Sequence, residues 1–262
     1  MKSGICCTFR KETLTNYKLR RGDILVVTIL PPHINGSANP EFDRSHLHQF
    51  VQCIDRELLP QIQIHSNSTH NNPVVVKQVP IPWQKLGAGN YAAVFSHPDY
   101  PQQVVKIYAP GMAGFEEETE VYRRLGTHPA FSECLYAGAN FLVLKRLHGT
   151  TLYDSVQQGL SIPQQVIEDI DRALDDARER GLNPSDVHGR NVMMDRGRGF
   201  VVDVSDFLHQ GTCLKWRHLK QAYYWLYRPI IQPLKLRIPY PLLNVVRKSY
   251  RYCCRLLMRR HR

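Results

Sequence analysis

Two glycines, Gly87 and Gly89, stand directly before the β-rich run Tyr91–Phe95, and a turn at residues 97–99 leads into a second β-rich run, Val104–Tyr108. A dinucleotide-binding turn would need a helix straight after the glycines. A P-loop would need the pattern G-x-x-x-x-G-K-S/T, which the chain lacks. Glycines between two antiparallel strands instead predict a flap that lays backbone N–H groups over phosphates.

Lys106 lies in the second β-rich run between apolar neighbours, so its ammonium is expected to lose contact with water unless an acid meets it. A helix is predicted next, at Glu116–Leu125. In that helix Glu118 shares a face with Val121 and Leu125 and therefore points inward, where the lysine would be. The alternative is a lysine that extends to solvent beside a solvated acidic helix start.

Asp186 and Asn191 lie five residues apart on a loop that follows a long predicted helix ending at Gly181. The aspartate can accept or orient a hydroxyl proton, and the asparagine amide oxygen can bind a divalent cation. Asp203 follows the short apolar strand Phe200–Val202. A carboxylate at a strand end suits Mg²⁺, which proteins commonly bind through one or two carboxylates together with substrate phosphates.

In this order, these elements resemble those of the protein-kinase-like superfamily. The glycine-rich loop of the family is matched by Gly87-x-Gly89-x-x-Ala92-x-Val94, its lysine strand by Val104-Val105-Lys106 and the partner glutamate by Glu118. The adenine hinge is matched by Phe141–Leu152, and the helix with the catalytic loop by Ile170–Asn191. Asp203-Val204-Ser205 stands at the position of the metal-binding motif. The resemblance covers residues 83–207, which is under half of the chain.

The resemblance implies ATP-dependent phosphoryl transfer with Mg²⁺, as in a bacterial atypical serine/threonine protein kinase. It implies that Lys106, held by Glu118, binds the α- and β-phosphates of ATP and that Asp186 orients the acceptor hydroxyl. By the same resemblance Asn191 and Asp203 would be the metal ligands. The residues that would surround the nucleotide are Gly87, Gly89, Val94, Leu144 and Leu147.

The chain departs from the family pattern at several places. Pro184 and Ser185 replace the His and Arg that precede the catalytic aspartate, so switching through a phosphorylated activation loop is not expected. His188 replaces the catalytic-loop lysine, as in atypical and small-molecule kinases of the superfamily. Only residues 204–262 follow Asp203, without an A-P-E element, which puts the usual platform for a protein substrate in doubt.

The predicted fold is therefore α+β, a two-lobed protein-kinase-like fold with an abbreviated C-terminal lobe. We expect an N-terminal segment of unknown role at 1–80, with a strand at Asp23–Ile29 and a short helix at Phe50–Leu59. The predicted lobes and tail are an N-lobe at 81–147, an abbreviated C-lobe at 148–232 and a basic amphipathic tail at 233–262.

The net charge of +11 is unevenly distributed, because residues 207–262 contain 13 Lys or Arg and no Asp or Glu. An amphipathic stretch at Leu242–Met258 is basic on its polar side, which is typical of elements that bind an anionic membrane surface or an acidic partner. Nucleic acid ranks below these two partners. No uncharged apolar stretch is long enough to span a bilayer, so we expect a cytoplasmic protein, peripheral to the membrane if the tail binds lipid.

Several functions stay open at this level. The acceptor is expected to be a Ser or Thr of a protein because that is the family's commonest behaviour, and a small-molecule or glycolipid hydroxyl is the alternative, favoured by His188 and the short lobe. A pseudokinase binding module would use the tail without transferring phosphate, although the four chemical residues Lys106, Asp186, Asn191 and Asp203 are all present. A nucleic-acid-binding protein would bind in a salt-dependent way and be indifferent to Asp203.

Overall fold

The computed structural model describes residues 44–66, 73–112 and 114–260, except the side chains of the last eight. The strand predicted at Asp23–Ile29 lies outside the described residues. The larger sheet is antiparallel, with the spatial order β3-β4-β5-β7-β6. Its strands are β3 (Gln84–Ala88), β4 (Ala92–Ser96), β5 (Gln103–Tyr108), β6 (Cys134–Ala137) and β7 (Phe141–Lys145). A separate hairpin is formed by β1 (Gln63–His65) and β2 (Val75–Gln78).

Alternate residues of the central strands face two different hydrophobic clusters, as the period of two along a strand requires. Val104 on β5 and Leu142 and Leu144 on β7 belong to the cluster that continues into the C-terminal lobe. Val105 and Val143 belong to the cluster on the opposite face of the sheet. We call the cluster that contains Val105 and Val143 the outer cluster. Lys106 lies between two of its residues, Val105 and Ile107, so its side chain points to the same face as Val104, towards the second lobe.

The outer face of the sheet is covered by the N-terminal helix α1 (Arg44–Cys53), which continues as a π-helical segment (Ile54–Leu58). Phe50 is fully buried there and stacks on Trp83, with ring centroids 5.7 Å apart. The helix predicted at Phe50–Leu59 is thus the C-terminal half of a longer one. The boundary predicted at residue 80 is not reflected in the packing, because residues on both sides of it share the outer cluster.

Helix α2 (Phe115–Leu125) packs on the inner face of the sheet through Val121, Tyr122 and Leu125, as its apolar spacing predicts. The second lobe then begins after β7. Its elements are β8 (Thr150–Thr151), α3 (Leu152–Gln158), α4 (Gln164–Glu179), β9 (Val192–Asp195) and β10 (Arg198–Val201), with β8, β9 and β10 forming a small antiparallel sheet. Helix α4 buries the stripe of Ile167, Ile170, Leu174 and Ala177. The predicted two-lobed α+β fold is confirmed.

The net positive charge of the chain is concentrated in helical elements that follow the second lobe's small sheet. Helix α5 (Lys215–Ala222) continues as a π-helical segment (Tyr223–Ile231), and α6 (Tyr240–Arg260) follows. Leu226 and Ile230 have helical spacing, but each is about half exposed. Within the described ranges, no helix has the length and apolar character needed to cross a membrane.

Asp169 joins α4 to β10 and gives the C-terminal lobe a pH-dependent contribution to stability. Its buried carboxylate accepts hydrogen bonds from the side chains of Gln165, Arg172 and Arg198 and from the backbone N–H of Gly199. Burial alone would raise the pKa of Asp169, but these donors together hold it well below its usual range. The folded state therefore gains stability from this group above the unfolded-state pKa, about 3.9, and loses it as the pH falls towards the lower folded-state pKa.

We expect Asp169→Asn to lower the free energy of unfolding by about 2 kcal/mol at neutral pH, the scale of hydrogen bonds to a charged group. The difference from the parent protein should shrink as the pH falls below about 4, where the parent carboxylate is protonated on unfolding. Denaturant unfolding across this pH range measures both effects. Asp175→Asn is the matched control, because Asp175 is on the same helix, is 69% exposed and pairs with the exposed Arg178. An equal loss in both variants would contradict the assignment.

Candidate active site

The inner face of the sheet holds a buried ion pair between β5 and α2. The ammonium Nζ of Lys106 lies 2.8 Å from Oε1 and 2.7 Å from Oε2 of Glu118. The Glu118 carboxylate is buried within the apolar face of α2, and it also accepts a hydrogen bond of 2.5 Å from the hydroxyl of Tyr108, two residues beyond the lysine. Two donors on one strand therefore fix the carboxylate. The role of Tyr108 was not predicted, although its position on the lysine's face of β5 could have indicated it.

Asp203 brings the second lobe to this ion pair. Its Oδ1 lies 3.4 Å from Lys106 Nζ, and the same oxygen accepts hydrogen bonds from the hydroxyl of Ser205 at 2.9 Å and its N–H at 3.2 Å. Ser205 thus orients the carboxylate, which is a function for the residue that replaces the glycine of the family motif. Lys106 consequently meets two carboxylates, one from each lobe.

The charges of this trio explain the directions of its pKa shifts. Burial alone would lower the pKa of Lys106, but Asp203 and Glu118 outweigh it and raise that pKa, so the ammonium stays charged. Burial would raise the pKa of Asp203, but Lys106 and the Ser205 donors hold it below its usual range. For Glu118, burial raises the pKa and Lys106 opposes that rise. The trio therefore presents one cation and an ionised Asp203 at neutral pH.

Asp186 and Asn191 lie on the loop between α4 and β9, beside Asp203. The backbone N–H of Val202 donates to the carbonyl oxygen of Asn191 at 3.0 Å, which ties the loop to the residue preceding Asp203. The side-chain amide nitrogen of Asn191 donates to the backbone oxygen of Asp186 at 3.1 Å. Asp186 has a φ of 55°, in the left-handed region that aspartate tolerates better than most residues. Strained backbone of this kind is often found at functional sites.

Lys215, the first residue of α5, forms an ion pair with Oδ1 of Asp186. Reasoning from the sequence did not single out this residue, because 29 positions separate it from its partner. His188 lies on the other side, with Nε2 3.9 Å from Oδ2 of Asp186. Burial lowers the pKa of His188, Asp186 opposes that effect and Lys215 adds to it. The cation beside Asp186 at neutral pH is therefore Lys215 rather than His188.

The flap and the sheet provide the remaining walls. Gly87 lies in β3 opposite Val94, Gly89 lies in the turn that leads to β4, and neither has a positive φ. A Cβ on Gly87 would meet no atom within 4 Å, and one on Gly89 only the Ala92 carbonyl at 3.8 Å, so packing within the chain does not require glycine at either position. Val94 is opposite Lys106 in the β4–β5 register. Leu144 is buried on β7, and the half-buried Leu147 lies in the connection to the second lobe.

The chain is similar in sequence to a protein of Bacillus subtilis (strain 168) named "Putative serine/threonine-protein kinase YrzF". The two are 32% identical over 154 residues, which cover 58% of this chain and 72% of that protein. No family model matches the sequence. On the sequence similarity, together with the fold and the Lys106–Glu118–Asp203 arrangement, the chain belongs to the protein-kinase-like superfamily.

Solved structures of the Mycobacterium tuberculosis PknI kinase domain are also similar to it. The PknI kinase domain aligns with a TM-score of 0.36 and 24% identity over 55% of this chain, and a cysteine-to-alanine mutant of that domain aligns with a TM-score of 0.37 and 25% identity over 55% of this chain. In both alignments the chain spans 63% of the kinase-domain chain, which is less than two thirds of its length.

Proposed function

We propose that this protein transfers the γ-phosphoryl group of ATP to a hydroxyl group, most favourably a Ser or Thr of a protein. The observation that carries the proposal is the position of Lys106 between Glu118 of one lobe and Asp203 of the other. Phosphoryl transfer requires positioning and charge neutralisation rather than covalent participation of the protein. A cation fixed by a buried carboxylate, next to an ionised carboxylate on a strand end, supplies both.

The donor set beside Lys106 fits a divalent cation. Because the amide nitrogen of Asn191 is engaged with the Asp186 backbone, its amide oxygen is directed away from that contact and is the atom available as a ligand. Asp203 contributes a carboxylate kept ionised by Lys106 and Ser205. Amide and carboxylate oxygens are the hard ligands that Mg²⁺ prefers. Mg²⁺ held by Asn191 and Asp203 would neutralise negative charge on the phosphates of ATP.

The remaining residues contact either ATP or the acceptor hydroxyl. The Lys106 ammonium binds the phosphates, and the backbone N–H groups of the Gly87–Gly89 flap cover them on the opposite side. Asp186 accepts a hydrogen bond from the acceptor hydroxyl and thereby orients it for attack. Val94, Leu144 and Leu147 contribute the apolar walls that an adenine ring requires.

Lys215 takes the place of the missing catalytic-loop lysine in this proposal. His188, at the position of that lysine, is held neutral, whereas Lys215 brings a positive charge directly to Asp186. A cation there can stabilise the charge that builds up on the transferred phosphoryl oxygens. The alternative is that Lys215 blocks Asp186 and inhibits the enzyme until α5 moves.

We expect Lys215→Gln to lower kcat by about 100-fold or more, the effect of removing one preorganised charge from a transition state, with a smaller change in the KM for ATP. Steady-state transfer of labelled γ-phosphate measures both constants. Lys220→Gln is the matched control, since Lys220 lies on the same helix, is similarly exposed and pairs with Asp171 instead. A rise in kcat for Lys215→Gln would show that Lys215 inhibits the enzyme by blocking Asp186 and does not take part in catalysis.

A substitution in the flap should weaken nucleotide binding without lowering the stability of the fold. Gly87→Ala should raise the KM for ATP on the order of tenfold, because a methyl group keeps the backbone from approaching the phosphates. The free energy of unfolding should change by no more than about 0.5 kcal/mol, because the added Cβ meets no atom of the chain. Kinetics in parallel with thermal unfolding separate the two. An unchanged KM would remove the flap from the proposed site.

The acceptor is tested by incubating the protein with labelled ATP and Mg²⁺ and offering a generic basic protein, the enzyme itself and a lipid extract. The name of the Bacillus subtilis relative supports phosphoserine or phosphothreonine as the expected product. Label that enters only the lipid extract would instead support the small-molecule alternative, which His188 favours. If no acceptor is labelled, Mg²⁺-dependent ATP binding would support a pseudokinase, and its absence would overturn the proposal.

A further inference from the structure

Helix α6 is attached to the C-terminal lobe by polar and aromatic contacts rather than by an apolar face. Asn244 accepts a hydrogen bond of 3.0 Å from the Tyr153 hydroxyl, and the Tyr250 hydroxyl lies 2.9 Å from Nδ1 of His218. Tyr240 at the start of the helix stacks on the Tyr153 ring, with centroids 5.7 Å apart. These contacts define the side of the helix that faces the protein.

The apolar side of α6 faces away from the lobe. Leu242, Val245, Val246 and Tyr252 recur at the spacing of one helical face and are each between 51% and 64% exposed. An ordinary surface helix has the opposite arrangement, with its apolar stripe against the core. Twelve of the sixteen exposed large hydrophobic side chains of the described residues lie between Leu214 and Tyr252. A concentration of this kind marks a surface that is covered by something else.

The charge around this face restricts what can cover it. Lys248 borders the apolar side, the exposed Arg247 and Arg251 lie on the polar side of the same helix, and residues 207–262 contain 13 Lys or Arg without one acid. A second copy of the chain would bring these cations against each other. A nucleic acid would satisfy the charges but would leave the aliphatic side chains of Leu242 and Val245 without a partner, since bases stack on aromatic rings.

We propose that α6 binds the surface of an anionic lipid bilayer, lying in the plane of the interface with Leu242, Val245 and Val246 in the acyl region and Lys248 at the headgroups. A helix with an apolar face and a polar side rich in Lys and Arg is suited to this environment. Its 21 residues span about 30 Å along the surface. The contacts of Asn244 and Tyr250 then hold the C-terminal lobe next to the membrane. This inference does not depend on the proposed phosphotransfer.

The test is co-sedimentation of the full chain with vesicles of equimolar phosphatidylcholine and phosphatidylglycerol, compared with vesicles of phosphatidylcholine alone. We expect binding to the anionic vesicles that weakens as NaCl is raised from about 0.05 M to about 0.5 M. The triple variant Arg247→Gln/Lys248→Gln/Arg251→Gln should bind about 100-fold more weakly, since each cation near an anionic surface contributes roughly fivefold. Its matched control removes three exposed cations from the other lobe, Arg44→Gln/Arg56→Gln/Lys77→Gln, and should bind like the parent.

The apolar face is tested separately by Leu242→Gln/Val245→Gln/Val246→Gln, which leaves the charge unchanged and should weaken binding at least about tenfold. Its control places glutamine at the exposed apolar positions Val75 and Ile81. Equal binding of the variants and their controls, or equal binding to neutral vesicles, would overturn the proposal. A dimer in size-exclusion chromatography that dissociates in the apolar variant, without vesicle binding by the parent, would overturn it in favour of a second copy. Retention of an oligonucleotide in place of vesicles would overturn it in favour of nucleic acid.

Discussion

Asp203→Asn is expected to lower ATP-dependent phosphoryl transfer by roughly 10³-fold or more while the protein remains folded. The substitution keeps the shape of the side chain and an oxygen that can still accept from Ser205, but it removes the negative charge that Lys106 and Ser205 hold in place. In the proposed mechanism this charge is what binds the divalent cation. The Asp203 side chain is 37% exposed and lies outside both hydrophobic clusters, so the fold does not depend on it.

Transfer of labelled γ-phosphate over a series of Mg²⁺ concentrations is the measurement. The variant should require much more Mg²⁺ and should stay slow at saturation, since an amide binds the cation more weakly than a carboxylate does. Asp195→Asn is the control, because Asp195 loses the same charge at a similar exposure, 45%, on the hairpin of the second lobe. If Asp203→Asn retained activity within about tenfold of the parent, Asp203 would not be the metal ligand.

Local patterns in the sequence were sufficient to predict the elements that carry the candidate site. The apolar, β-rich run around Lys106 indicates a strand, and the helical spacing around Glu118 places its side chain on an inward face. The ion pair between them follows, because a buried lysine needs an acid. The order of the later motifs then indicated a two-lobed α+β fold.

Contacts between distant segments could not be predicted in the same way. Nothing in the local pattern around Lys215 indicates that it meets Asp186, because its exposed helix would look the same without that partner. The packing of α1 on the outer face of the sheet depends on Phe50 meeting Trp83 across 33 positions, and the local pattern around Phe50 indicated a helix but not its partner. For α6 the amphipathic pattern was visible, but a pattern does not tell which face points to the protein. The contact of Asn244 with Tyr153 decides that.

The two carboxylates that meet Lys106 have different tasks. Glu118 is buried, accepts from two donors of β5 and has no route to solvent, so it can only hold the lysine. Asp203 is partly exposed and approaches the lysine at a longer distance, so it can bind another cation as well. The Glu118 carboxylate is therefore structural, and the Asp203 carboxylate is available to bind a cation. Altering the Lys106–Glu118 pair should lower stability, whereas altering Asp203 should lower activity with little effect on stability.

Lys106→Met should destabilise the fold by about 3–5 kcal/mol, because it leaves the buried Glu118 carboxylate without its counter-ion. The effect should depend on pH with a definite sign. Without the lysine, burial raises the folded-state pKa of Glu118 further above its unfolded value, so the penalty is largest at high pH and diminishes as the pH falls and the acid takes up a proton. Denaturant unfolding at several pH values measures this.

The double variant Lys106→Met/Glu118→Gln should recover most of that stability at neutral pH and lose the pH dependence, since the neutral amide keeps the hydrogen bond from Tyr108 without a buried charge. It should remain inactive in phosphoryl transfer, because the cation that binds the phosphates is still missing. Lys220→Met is the control for removing a lysine from a more exposed pair, and its cost should be below about 1 kcal/mol. A stable, active double variant would refute the assignment of Lys106 to phosphate binding, whereas a stable, inactive one separates the contribution of the ion pair to folding from its contribution to chemistry.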